Sequence, residues 1–475
     1  MENLQKFYIN GQWAAPISTA TLPVLNPAMN EQIGTVSMGN SHDVDKAVAS
    51  AKAAFASYSQ TSKADRLVLL KQLKEESEKR FEDMAQAMRM EMGAPITMAR
   101  DAQADAALGH LQGFIESLEE LHERIDLPNG DVMLREAIGV CGLITPWNWP
   151  INQIALKVIP ALATGCTCVL KPSEHTPVSA MIYAEIIHSA GYPAGVFNLV
   201  NGDGSTVGSC LARHQDIQMM SFTGSTRAGK AVTHDAAETV KRVTLELGGK
   251  SPNIIFADCD LEAKVTASVQ ECMFNTGQSC DAPTRLLIER SCYDEALKIV
   301  KAAGEAVEVG DPEKEGGHLG PLFDEIQFDR VQNMISVGID EGANLLVGGL
   351  GKPEGHEKGW FVKPTIFADV SNNQRIAQEE IFGPVLVVIP FEDEADAIRI
   401  ANDTPYGLAA YLQTGNSDRA DRVAKQLRAG AVHINGGAIN YGTPFGGYLQ
   451  SGNGREGGMM GLEDYLETKT LHGLF

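Results

Sequence analysis

Apolar residues at helical spacing mark the N-terminal third of the chain. In residues 44–54 and 64–92 they recur every three or four positions, and Leu67, Leu70 and Leu73 are separated by charges. Residues 98–121 continue in the same way, so three helical stretches are expected. Leu127-Pro128-Asn129-Gly130-Asp131 breaks the pattern, and Asn-Gly is a hairpin signal. Short apolar runs then alternate with helix-like segments. Residues 140–145, 166–171, 196–200, 219–223 and 243–245 read as strands, with a helix over 179–190. A second series has its clearest strands at 253–257, 285–289, 385–391 and 432–435. Residues 345–355 are Gly-rich and read as a surface turn. Residues 463–471 alternate weakly, as an edge strand would. Strand–helix alternation argues for open parallel sheets, here in two similar α/β lobes.

Composition narrows the function classes. A chain of 475 residues is too long for one ordinary core, so two or three domains are expected. Hydrophobic content of 44% and charged content of 21% are those of a globular protein. The net charge of −22 repels phosphate backbones and anionic lipid, which makes nucleic acid and membrane surfaces poor partners. Met1-Glu2-Asn3-Leu4-Gln5-Lys6 lacks the basic and apolar regions of a secretory leader, and no apolar run is long enough to span a bilayer. The eight cysteines form no metal-ligand cluster and no disulfide framework. Cys166-Thr167-Cys168 has apolar neighbours and reads as buried strand. A reducing cytoplasm is the expected compartment.

Two segments carry candidate chemistry. One is Phe274-Asn275-Thr276-Gly277-Gln278-Ser279-Cys280, and the other is Glu246-Leu247-Gly248-Gly249-Lys250-Ser251-Pro252. A single Cys is ordinarily a small buried hydrophobe, and a single Glu a solvated charge. Together they resemble the nucleophile and general-base signatures of the NAD(P)-dependent aldehyde dehydrogenases. A carbonyl carbon yields a hydride only after a nucleophile makes it tetrahedral, and thiolates do this well. The resulting thioester needs an activated water.

Further blocks extend the resemblance over essentially the whole chain, in family order. Thr145-Pro146-Trp147-Asn148-Trp149-Pro150 resembles the family's oxyanion segment, which implies Asn148 and the Cys280 backbone N–H as donors and Trp147 on the cofactor side. Taken alone, Asn148 is an ordinary turn residue. Lys171-Pro172-Ser173-Glu174 resembles the segment at the adenosine ribose, with Lys171 assigned to cofactor and catalysis. A Glu174 carboxylate there accepts from both ribose hydroxyls and repels the extra phosphate of NADP, so NAD is the implied cofactor. Ser221-Phe222-Thr223-Gly224-Ser225-Thr226 is a strand entering a helix start. Gly224 and Ser225 stand where the family binds pyrophosphate. Gly204 corresponds to the glycine turn beside the adenine, and Gly248 is also assigned to cofactor binding. In Glu379-Glu380-Ile381-Phe382-Gly383-Pro384, Glu380 would hold the nicotinamide ribose and Phe382 lie against the ring.

The family fold implies a Rossmann-like parallel-sheet cofactor domain (1–117 and 138–247) and a second α/β catalytic domain (248–445). It also implies a small oligomerisation hairpin (118–137 with 460–475) and a homodimer or homotetramer. Substrate positions by resemblance are Trp149, Gln153, Leu156, Ser279, Asp281, Ile439 and Phe445. They include no Arg clamp, which disfavours small dicarboxylic semialdehydes and leaves medium aliphatic or aromatic aldehydes. Two positions depart from the pattern: Leu449 stands where a Lys is usual, and Asp281 follows the nucleophile. The implied reaction is oxidation of an aldehyde to a carboxylic acid. The alternatives are an NADP-dependent or coenzyme A-acylating relative, and a non-catalytic structural member. The intact set of Cys280, Glu246 and Asn148 argues against the last.

Overall fold

A computed structural model describes residues 3–473. Met1 and Glu2, from the stretch read for a leader, lie outside the described residues, as do Leu474 and Phe475 of the segment 460–475. Two large sheets organise the molecule. The first has five parallel central strands in the order Arg242–Glu246, Met219–Thr223, Val140–Ile144, Thr167–Lys171 and Phe197–Leu199. The middle three and Phe197–Leu199 are fully buried, so they read as continuous apolar runs. Apolar clusters cover both faces of this sheet. The winding reverses between Val140–Ile144 and Met219–Thr223, which opens a crevice at the carboxyl ends of the strands. Antiparallel strands close the edges: Phe7–Ile9 with Gln12–Ala14 on one side, and Gly452–Asn453 on the other.

The second sheet runs Asn344–Val347, Thr365–Ala368, Val385–Phe391, Arg285–Glu289, Pro252–Ile255, Ala409–Gln413 and Ala431–Ile434. All neighbours are parallel except Asn344–Val347. That strand corrects the expected surface turn at 345–355: its residues are half-exposed and lie at an edge, so no apolar run marks it. A three-stranded antiparallel sheet joins Leu466–Leu471, Val132–Ala137 and Arg124–Asp126. The Asn129-Gly130 turn links the last two, with Gly130 at φ +90°.

The helical stretch expected over 64–92 is two helices, Lys63–Lys79 and Phe81–Glu91, broken at Arg80 (φ −104°, ψ 11°). Residues 98–121 hold a wide turn, Ala99–Ala104, leading into helix Asp105–Glu120. No described helix is long and apolar enough to cross a membrane.

The two sheets meet end to end. Residues 247–251 leave the carboxyl end of Arg242–Glu246 and enter the amino end of Pro252–Ile255. The Cys280 loop precedes Arg285–Glu289, and Phe382 precedes Val385–Phe391, so both also lie at amino ends of the second sheet. Arg285 fixes this junction. Its buried guanidinium donates to the carbonyls of Lys250 (2.9 Å), Ile400 (2.9 Å) and Ala401 (2.8 Å).

Candidate active site

A cavity of about 150 Å³ lies at the junction of the two sheets. Trp147, Asn148, Gly224, Ser225, Glu246 and Gly248 reach it from the first sheet's side, and Cys280, Glu380 and Phe382 from the second's. Nine of the residues named from sequence therefore share one cavity, although they span about half of the chain.

Local backbone aims Cys280. Asn275, Thr276 and Gly277 are consecutive left-handed residues (φ 52°, 55° and 67°). A Cβ on Gly277 would sit 2.1 Å from the Gly383 carbonyl, so only glycine fits there. Gly249 permits a second close approach, since its Cβ would lie 2.5 Å from the Cys280 carbonyl. The Gln278 side chain pins the loop by accepting from Phe323 N–H (3.1 Å) and donating to the Asn275 carbonyl (3.2 Å). The Asn148 amide donates to the Gln278 carbonyl at 2.9 Å. The Asn148 carbonyl accepts from the Asn275 amide (3.0 Å) and from Gln103 (3.3 Å).

The charges around the thiol share one sign. Burial pushes the Cys280 thiol well up, and the carboxylates of Asp281, Glu246 and Glu380 push it further. Glu246 is buried, and neither of its oxygens has a protein partner. Burial and the Glu456 carboxylate raise it well above the ordinary carboxyl range, while Lys157 and Arg455 pull it back. An unpartnered buried carboxyl is costly and suits a group that must take and release a proton. Glu380 is held by the Gly249 N–H at 3.1 Å, and its carbonyl accepts from Arg330 at 2.6 Å. Phe382 (φ 61°) crosses Trp147 edge-on at 5.5 Å, and Trp147 stacks on Phe323 at 3.9 Å.

A separate group forms at the ends of the neighbouring strands. The Lys171 ammonium spends its three protons on Pro172 O (2.7 Å), Gly202 O (2.7 Å) and Glu174 Oε2 (2.9 Å). Lys171, Ser173, Glu174 and Gly204 do not line the Cys280 cavity. Ser173 Oγ accepts from His175 N–H at 3.3 Å. The space over Gly204 is open, with nothing near a Cβ placed there. Ser225 caps helix Thr226–Ala236, accepting from Ala228 N–H at 3.3 Å.

The expected substrate positions fall into smaller groups. Trp149 Nε1 donates to Ser279 Oγ at 2.9 Å. Gln153 and Leu156 are buried on helix Pro150–Ala163, and Gln153 Oε1 has no partner. Phe445 exchanges backbone bonds with Glu456 (2.6 and 2.7 Å). Asp281 and Ile439 line a different cavity.

Sequence reasoning missed the buried pair Lys157–Glu456 behind Glu246. A signal existed, because Lys157 is the one charge in an apolar helix and a buried charge needs a partner. It also missed Gln103, Gln278 and the clamp of Gln327 on the Ile381 (3.1 Å) and Phe382 (2.7 Å) carbonyls.

The model of the aldehyde dehydrogenase family matches residues 13–471. The chain belongs to that family. A 3-succinoylsemialdehyde-pyridine dehydrogenase from a Pseudomonas species is 50% identical over 474 residues, which cover 100% of this chain and 99% of the relative. The crystal structure of an aldehyde dehydrogenase from Bartonella henselae has a TM-score of 0.97 at 49% identity, with 99% of each chain covered. Aldehyde dehydrogenase C from Pseudomonas syringae, solved as a cysteine-to-alanine variant with NAD+ and octanal, has a TM-score of 0.98 at 49% identity. That match covers 99% of this chain and 96% of the relative. The two-sheet α/β architecture described above is therefore that of the aldehyde dehydrogenases.

Proposed function

We propose that this protein oxidises an aldehyde to a carboxylic acid with NAD, through a thioester on Cys280 that Glu246 helps to hydrolyse. The observation that carries the reading is the single cavity bringing Cys280, Asn148 and an unpartnered Glu246 together. The Cys280 thiolate attacks the carbonyl carbon. The oxyanion is met by the Asn148 amide and the Cys280 N–H, each worth roughly 3–4 kcal/mol. Bound NAD supplies the hydride acceptor. Glu246 then takes a proton from water, the hydroxyl adds to the thioester, and the Cys280 thiolate leaves. A base at this place favours water over coenzyme A as acyl acceptor.

The residues present fit that cofactor. The two carboxyl groups lining the cavity, Glu246 and Glu380, suit the positively charged oxidised nicotinamide, with Phe382, Trp147 and Gly248 beside it. Ser225 and the amino end of helix Thr226–Ala236 would hold pyrophosphate. Lys171, Ser173 and Glu174 would hold the adenosine ribose, and the open space over Gly204 the adenine. Relatives solved with NAD+ support the choice. We also propose the domain division given above and a cytoplasmic homodimer or homotetramer, in which the 118–137 and 460–475 segments pair between subunits. Absorbance of reduced nicotinamide with an aliphatic aldehyde tests the activity. Cys280→Ala should abolish it and retain NAD binding, and substantial turnover by that variant removes the assignment.

A further inference from the structure

Asp281, next in the chain after Cys280, lines a second cavity of about 300 Å³. Its other polar walls are Glu271, His433, Gln413 and Tyr411, with Ile439 at an exposed side. Two buried side-chain atoms of these walls have no partner, and both accept hydrogen bonds. His433 is 9% exposed and stacks on Tyr411 at 4.6 Å. Its Nδ1 lies 2.8 Å from the Gly437 carbonyl, which can only accept, so Nδ1 carries the hydrogen. In the neutral ring Nε2 is then a bare acceptor, and it is buried without a partner. Gln413, 5% exposed, donates its amide to Asn253 (3.3 Å), which leaves its buried Oε1 unpartnered. The Tyr411 hydroxyl donates to the Asp281 carbonyl at 3.3 Å. Lys264, also on the wall, donates to the Asn435 carbonyl at 2.8 Å and offsets one of the two carboxylates. A negative charge remains, facing two unpaired acceptors.

An unpaired buried acceptor is costly, so such a cavity is completed by a donor, and its net charge selects a cationic one. Burial raises the Asp281 carboxyl, and burial together with the Asp281 carboxylate raises that of Glu271, a strain that a cation relieves. Asp281 follows Cys280 directly in the chain, with Cα atoms about 3.8 Å apart, so one wall of this cavity is bonded to the residue that carries the thiol.

We infer that this cavity is the distal part of the substrate site and selects short aldehydes that carry a protonated amine a few bonds from the carbonyl. The inference rests on the reading of Cys280 as nucleophile. The same charge disfavours aldehydes with a distal carboxylate.

The test compares 3-aminopropanal with butanal, which has the same number of heavy atoms, in steady-state assays with NAD near neutral pH. The amino aldehyde should be preferred by about tenfold or more in kcat/KM, with the difference carried by KM. The ratio should fall toward one in both Asp281→Asn and Glu271→Gln. A ratio cancels any general loss of folding or catalysis in a variant. Equal or better use of butanal by the wild type overturns the inference and leaves the proposed activity standing. A preference undiminished in both variants also overturns it. Oxidation of neither aldehyde would remove the proposed activity as well.

Discussion

The Asn148 side-chain amide and the Gln278 carbonyl are joined at 2.9 Å across 130 residues of chain. The bond ties the carboxyl end of strand Val140–Ile144 to the nucleophile loop, and it uses one of the two amide protons. The second proton remains for the oxyanion. Asn148→Ala removes both the donor and the tie. We expect kcat to fall by about 10²–10³-fold, with a much smaller change in KM, because the donor acts on charge that develops in the transition state. Steady-state kinetics check this, and a loss confined to KM would assign Asn148 to binding instead.

We propose that Glu174 sets cofactor choice through its charge. Burial pushes its carboxyl up, but the Lys171 ammonium at 2.9 Å outweighs that and keeps it below the ordinary value. It is therefore ionised at neutral pH and repels a ribose phosphate. NAD should be preferred over NADP by at least about tenfold in kcat/KM, or about 1.4 kcal/mol. Glu174→Gln keeps the shape, removes the charge and should narrow the ratio. Equal use of both cofactors by the wild type would take Glu174 away from the ribose.

Legibility followed burial and sequence distance. Strands such as Val140–Ile144 and Val385–Phe391 are buried on both faces and stand out as apolar runs. Asn344–Val347 is a half-exposed edge strand and has no such signature. The nucleophile and base were readable because each sits in a contiguous block of residues. The Lys157–Glu456 pair joins positions 299 residues apart, and only the fold brings them together behind Glu246. The acceptors of His433 and Gln413 were invisible for a related reason. Whether a side-chain atom is left unpartnered depends on neighbours that no local pattern specifies.

The buried pair behind Glu246 makes the pH profile informative. In the proposed mechanism Cys280 and Glu246 both act deprotonated, and both are raised above their ordinary values. A raised pKa moves the acid limb of kcat/KM to higher pH, so activity should climb through neutrality into the alkaline range. Lys157 lowers Glu246, so Lys157→Met should move the limb further up, with the deficit shrinking as pH rises. The variant also leaves Glu456 buried and unpaired, at a cost of about 3–5 kcal/mol and a lower Tm. Adding Glu456→Gln removes that charge and should return the limb toward the wild-type position. An activity loss equal at every pH would mean that Lys157 acts on stability alone.

Glu246→Gln separates the two halves of the reaction. Glutamine keeps the shape beside Gly446, whose Cβ would lie 2.6 Å from Glu246 Oε1, but it cannot accept a proton from water. Cys280 can still attack, and one hydride can still leave. Deacylation loses its base, a contribution on the order of 10²–10⁴-fold. Mixing the variant with NAD and aldehyde should give a burst of NADH of about one equivalent per active subunit, then a slow steady state. Mass spectrometry should find the acyl group on the Cys280 peptide. A missing burst together with slow turnover would place Glu246 in the first half-reaction, as the base that takes the raised Cys280 proton. An unchanged steady-state rate would remove Glu246 from the mechanism and favour an acyl acceptor other than water, which added coenzyme A would then reveal as a faster second phase.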